Sequence, residues 1–259
     1  MKLKDWVTLL NLLSGACSII SVLEGRFDIG CYLIILGFFF DAADGLVARL
    51  TKQFNKFGSE LDNLCDLVTY GLAPCFLVYH AFRNVAQYPL WACIGIAFLP
   101  IAAGTVRAAR YNVRRAEFPG FFIGMPRTAF ALFIVALLQS HLFAAAGDFL
   151  SGYLYLVPAA LVVWASWGLL SLRPFVGHHN RKWTGWIRFG IWWFLLSMPI
   201  AFFGGWLLFD APELVFDAVL FDLIIYFALS NLVLPRQLLA DYAAYIREWK
   251  AMGETPSAK

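Results

Sequence analysis

The sequence predicts an all-α, polytopic integral membrane protein of about eight transmembrane helices. Three observations lead there. Of 259 residues, 61% are hydrophobic and 14% are charged, against roughly 45–50% and about 25% in soluble domains. The apolar residues gather in runs close to the roughly 20 residues of helix that cross a bilayer core. The basic residues then fall on one side of the topology those runs define.

The runs lie at about 6–23, 29–47, 64–82, 90–108, 128–147, 152–172, 186–208 and 214–234. The first follows Lys2 and Lys4 and reaches Cys17 after small residues, as a secretory leader would. It continues apolar to Leu23, so it is expected to be a retained first helix. With the N-terminus in the cytoplasm, all 20 Lys and Arg except Arg26 and Arg83 fall in cytoplasmic segments, which agrees with an even number of spans and both termini inside. Trp6, Trp91, Trp183, Trp186 and Trp206 fall near span ends, as interfacial anchors do.

Several features exclude other classes. A net charge of +3 gives no case for nucleic-acid binding. The five cysteines, Cys17, Cys31, Cys65, Cys75 and Cys93, lie in or beside apolar runs without paired spacing, and read as small buried hydrophobes. His178 and His179 sit in the polar connector and read as headgroup-facing, and His80 and His141 as interfacial. Asp222, in the middle of the last run, reads as a structural acid within a helix bundle.

The chemistry concentrates in one stretch, DAADGLVARLTKQFNKFGSELDNLCD, Asp41 to Asp66. Asp41 and Asp44 are three apart at the cytoplasmic end of the second span. Asp62 and Asp66 are four apart at the start of the third. Either spacing puts a pair on one helix face, and two antiparallel helices can turn those faces together. Four carboxylates in one small volume repel and would have to be neutralised. Divalent cations do this, and an all-oxygen ligand set favours magnesium, manganese or calcium. Two such ions suit displacement at phosphorus on a phosphoanhydride. Gly45 and Gly58 are tolerable where a ligand approaches the backbone, Ala48 is small, and Arg49 is placed to neutralise a phosphate.

The full pattern, D-x2-D-G-x2-A-R-x8-G-x3-D-x3-D from Asp41 to Asp66, resembles the signature of the CDP-alcohol phosphotransferases. The resemblance implies a six-helix catalytic core over 1–172. A polar connector and two additional spans follow over 173–234, and a cytoplasmic tail over 235–259 opens with an amphipathic helix. It implies two divalent metals, Mg2+ or Mn2+ with Ca2+ possible, on Asp41, Asp44, Asp62 and Asp66, and it implies Asp66 as general base. Gly45 and Ala48 would make room for the cytidine beside Asp44, and Arg49 and Gly58 would complete the nucleotide-phosphate site. A homodimer in the cytoplasmic membrane, with the active site on the cytoplasmic side, is implied too.

Three further stretches are similar to the phosphatidylserine synthases of that family: TLLNLLSGACSI (Thr8 to Ile19), FGSELDNLCDLVTYGLAPCFL (Phe57 to Leu77), and RAARYNV (Arg107 to Val113) followed by FFIGMP (Phe121 to Pro126). The implied reaction transfers the phosphatidyl group of CDP-diacylglycerol to the hydroxyl of L-serine and releases CMP. A polyol phosphate acceptor or an archaeal-type lipid donor is the nearest alternative. Arg107 and Arg110, one turn apart, are assigned to the serine carboxylate, with Asn112 and Tyr111 adding hydrogen bonds; Arg114 and Arg115 read as topology determinants. After Pro126 the chain reads RTAF, where the pattern calls for a more proline-rich segment. A cation transporter would use the same acids, but its site belongs near the bilayer midplane and between paired broken helices.

Overall fold

The structure is a computed structural model that describes residues 2–51, 56–113, 118–148, 155–177, 185–209, 211, 214–229, 234 and 236–254. Arg114, Arg115, His178 and His179 lie outside the described residues.

Helix α1 (Leu3–Leu23) has the polarity of a water-soluble helix turned inside out. Its buried side is Asp5, Thr8, Asn11, Ser14, Gly15, Ser18 and Val22. Its exposed side carries Leu3, Trp6, Leu10, Leu13, Ile20 and Leu23. Lipid accepts the apolar side, so the small and polar residues are free to pack inward. Helix α2 (Phe27–Thr51) runs back along it, and the contact is too close for larger side chains. A Cβ on Gly15 would lie 2.5 Å from Thr69 Oγ1, and one on Gly37 would lie 2.7 Å from Thr69 Cγ2 and 3.1 Å from Asn11 Oδ1.

The third span is one helical run, Lys56–Val85. It comprises α3 (Lys56–Leu67), a π turn at Val68–Leu72, α4 (Ala73–His80) and a second π turn at Ala81–Val85. Pro74 cannot donate to the preceding turn, and the wider turn just before it absorbs that defect. Helix α5 (Leu90–Val113) follows. Helix α6 (Arg127–Gln139) is buried at every position from Phe130 to Leu138, so it is the centre of the bundle, packed by α2, α4, α10 (Leu214–Leu229) and α8 (Leu156–Leu170).

Among the described residues, four helices are long and apolar enough to cross a membrane: Leu3–Leu23, Phe27–Thr51, Lys56–Val85 and Leu90–Val113. The remaining expected spans fall on shorter pieces or on less completely described helices. The run at 128–147 is broken because Ser140 ends α6 and caps α7 (His141–Asp148), its Oγ accepting the Phe143 N–H at 3.3 Å. Helix α8 has 15 residues. Helices α9 (Gly185–Gly204) and α10 occupy the last two runs. The all-α expectation is also relaxed by a ribbon of three-residue strands, β1 (Phe121–Ile123) antiparallel to β2 (Pro174–Val176).

That ribbon carries a second apolar cluster. Phe121 packs with Leu234, Leu238, Tyr242 and Ile246, largely from α11 (Arg236–Glu254), and Tyr242 donates to the Leu172 carbonyl at 2.7 Å. Gly124, at φ +75°, turns the chain from β1 into α6. A Cβ there would lie 2.7 Å from the Ser171 carbonyl, and the Gly124 and Met125 N–H groups donate to Arg173 and Gly168. The start of α6 is therefore fixed by backbone bonds to the end of α8.

Candidate active site

Asp41 and Asp44 come from the C-terminal half of α2, and Asp62 and Asp66 from α3. Carboxylate oxygens of Asp41, Asp62 and Asp66 lie within 4.8 Å of one another, and Asp62 Oδ1 is buried without a hydrogen-bond partner among the described residues. Asp44, 3% exposed, accepts a bond from Thr8 Oγ1 at 2.6 Å and faces Asp62. Asp66 is held at both oxygens: Asn11 Nδ2 donates to Oδ1 at 3.1 Å, and the Arg127 guanidinium pairs with Oδ2 at 3.2 Å. Arg127 is itself anchored, donating to the Asn63 side chain at 2.9 Å and to its backbone carbonyl at 3.3 Å.

Among the described residues, the cluster of four carboxylates is answered directly by one paired guanidinium, with Lys4 close enough to attract Asp44 and Asp62. An all-oxygen set with an unsatisfied buried oxygen fits a hard divalent cation. Nothing within 4 Å would meet a Cβ at Gly45, so the wall beside Asp44 is open, and Ala48 and Gly58 are buried on the same two helices. Arg49 is exposed at the end of α2. The π turn immediately after Asp66 places Tyr70, 2% exposed, beside Asp41 and Asp66. Such turns recur at functional sites.

A family model for CDP-alcohol phosphatidyltransferases matches residues 1–172. The chain belongs to this family. Among curated relatives it is similar to a CDP-diacylglycerol–serine O-phosphatidyltransferase of Methanocaldococcus jannaschii, 35% identical over 138 residues, covering 53% of this chain and 60% of the relative. One of the same name from Helicobacter pylori is 32% identical over 127 residues, 48% of this chain and 52% of the relative. An archaetidylserine synthase of Methanothermobacter thermautotrophicus is 34% identical over 116 residues, 43% and 47% of the two chains. The chain thus spans about half to three-fifths of the length of these relatives.

Within this family member, the residues assigned from sequence to the acceptor separate. Arg107 is buried within electrostatic range of Arg127, Arg110 and, more weakly, Asp66. Arg110 instead donates to the carbonyls of Leu170 at 2.9 Å and Leu169 at 3.3 Å, closing the C-terminus of α8. Asn112 stands farther out, between Asn63 at 3.2 Å and Glu60 at 3.4 Å. The sequence reading gave no role to Thr8, Asn11 or Arg127, which orient Asp44 and Asp66. For Thr8 and Asn11 a signal existed, since polar residues recur every three or four positions along α1. Asp222 accepts the Trp193 indole N–H at 3.0 Å, a bond between neighbouring helices.

Proposed function

We propose that this chain transfers the phosphatidyl group of CDP-diacylglycerol to the hydroxyl of L-serine at the cytoplasmic side of the membrane, releasing CMP. The observation that carries the reading is the complete eight-position motif, whose aspartates converge from two helices. The relatives named for serine transfer support the choice of acceptor. The one-sided distribution of Lys and Arg supports the cytoplasmic placement.

Asp41, Asp62 and Asp66, with Asp44 beside them, are the residues that would hold two divalent cations, Mg2+ or Mn2+. When bound, these neutralise the pyrophosphate and the departing CMP. Asp66 accepts the hydroxyl proton as the serine oxygen bonds to the lipid-side phosphorus and the bond to the CMP oxygen breaks. Asn11 holds the other Asp66 oxygen in place during that transfer. Thr8 fixes Asp44, and Gly45, Ala48, Arg49 and Gly58 border the nucleotide. Arg107 supplies positive charge on the acceptor side, with Asn112 at its rim. A homodimer remains part of the proposal through the family resemblance.

The test is CMP release by purified protein with CDP-diacylglycerol and Mn2+ or Mg2+, comparing L-serine, inositol phosphate, glycerol 3-phosphate and buffer. Serine-dependent release that disappears in Asp66→Asn is the expected result. Release with another alcohol alone would overturn the acceptor. Release that survives Asp66→Asn would overturn the base.

A further inference from the structure

The family match stops at Leu172, yet two tyrosines from beyond it hold the backbone near that point. Tyr242, on α11, donates to the Leu172 carbonyl at 2.7 Å. Tyr226, on α10, donates to the Val176 carbonyl at 2.7 Å. The segment between those carbonyls contains β2, so the strand is fastened on both sides by a hydroxyl. Tyr242 is the one nearer the end of α8. It is 4% exposed, and its ring lies against Phe118 and Phe121 at centroid distances of 5.4 and 5.8 Å. A phenol buried among aromatic rings needs a partner for its hydroxyl, and the Leu172 carbonyl is that partner.

From Leu172 the path to the aspartates runs through backbone. The next carbonyl, that of Arg173, accepts the Gly124 N–H at 2.9 Å, and the Gly168 carbonyl accepts the Met125 N–H at 3.0 Å. The turn has no slack, because the Gly124 backbone lies directly against the Ser171 carbonyl. Two residues after Met125, Arg127 begins α6 and reaches Asp66 at 3.2 Å and the Asn63 side chain at 2.9 Å. Arg127 therefore takes its place from a turn bonded to the carbonyls of Gly168 and Arg173. The carbonyl just before Arg173 is the one that Tyr242 holds.

We propose that Tyr242 is a positioning residue for the reaction: by fixing the chain at Leu172 it sets the Gly124–Pro126 turn, and with it the place of Arg127 beside Asp66. The C-terminal helix, outside the residues that the family model matches, is then a working part of the active site. The kinetic half of the test rests on the serine reading above, and the hydrogen-exchange half needs no acceptor.

The variant is Tyr242→Phe in the full chain, which keeps the ring against Phe118 and Phe121 and removes only the hydroxyl. Hydrogen exchange in detergent, with Mn2+ and CMP present, should show the Gly124 and Met125 amides exchanging at least about threefold faster, with α1 and α2 unchanged. With CDP-diacylglycerol, Mn2+ and L-serine, kcat/KM for serine should fall by about threefold to tenfold, the size of one lost neutral hydrogen bond, while the KM for CDP-diacylglycerol stays within about twofold. Arg127→Lys loses the two bonds to Asn63. In that background Tyr242→Phe should lower kcat/KM by less than about twofold further, because both changes act on one contact. A packing role for Tyr242 would instead let the two losses multiply. Unchanged exchange at Gly124 and Met125 would overturn the proposal. So would faster exchange with an unchanged kcat/KM, or losses that multiply. If the unaltered protein releases no CMP in response to serine, the serine reading fails, and the exchange measurement alone decides whether Tyr242 fixes the turn.

Discussion

Thr8→Val isolates one bond in the candidate site. The Thr8 hydroxyl has one proton and two acceptors in reach, the Lys4 carbonyl at 3.2 Å and Asp44 Oδ2 at 2.6 Å. The shorter, charge-assisted contact takes the proton. Thr8 is 0% exposed, so water cannot replace the donor, and valine has nearly the same shape. A hydrogen bond to a charged group contributes about 1.5–3 kcal/mol, which corresponds to roughly 10–150-fold in an equilibrium constant. Loss of a partner that orients a metal ligand typically costs about 10–100-fold in metal affinity. The two routes agree, so the Mn2+ concentration for half-maximal CMP binding should rise by about 10–100-fold. Thr8→Ser keeps the hydroxyl and should restore most of it. The assay is calorimetric CMP binding at a series of Mn2+ concentrations, with thermal unfolding as the control for folding. A folded Thr8→Val protein whose Mn2+ requirement lies within about twofold of the original would refute the orienting role of Thr8.

Other predictions rest on separate observations. Asn11→Leu removes the donor to Asp66 Oδ1 and should lower kcat more than it changes the KM for CDP-diacylglycerol; steady-state kinetics would show the reverse if Asn11 served only packing. Gly15→Ala places a Cβ 2.5 Å from Thr69 Oγ1 and 2.8 Å from its Cα, so α1 must shift; a loss of about 1–3 kcal/mol is expected, read as a lower unfolding midpoint in detergent. Arg110→Gln leaves the last carbonyls of α8 without their donor and should also lower that midpoint, by the equivalent of about 1–2 kcal/mol. Chelation should abolish CMP release, and Mn2+ or Mg2+ should restore it; activity that persists under an excess of chelator would contradict the role given to Asp41, Asp62 and Asp66.

What could be read from the sequence was local in the chain. Asp41 with Asp44, and Asp62 with Asp66, are set by helical spacing, and the structure brings three of the four within 4.8 Å. The pairing of Arg127 with Asp66 joins residues 61 positions apart, and the chain between them holds two helices and the β1 strand. No spacing rule reaches that far. Arg107 and Arg110 show the opposite failure. They are one turn apart and read as equivalent in the sequence, yet the end of α8 lies within hydrogen-bond reach of Arg110, and its last carbonyls take that side chain. The run at 128–147 was continuous in hydropathy, but Ser140 supplies a cap, and a hydroxyl that stops one helix and starts the next leaves little trace in an apolar average.

The carboxylates at this apolar junction are explained by the inverted polarity of α1. In a soluble bundle the space between helices is filled by leucine and isoleucine, and four acids there would destabilise the fold. Here the outer faces already satisfy the lipid, so the inner face can be Thr8, Asn11, Ser14, Gly15 and Ser18 without loss of apolar contact with the solvent. The small residues bring α1, α2 and the π turn close together, and that closeness puts Thr8 and Asn11 within hydrogen-bond reach of Asp44 and Asp66. Enlarging Gly15 or Gly37 would therefore act on the chemistry as well as on packing. A variant at either position that folds but separates α1 from α2 should show the metal requirement of Thr8→Val with Thr8 still in place, and an unchanged requirement would sever the link between the small-residue packing and the site.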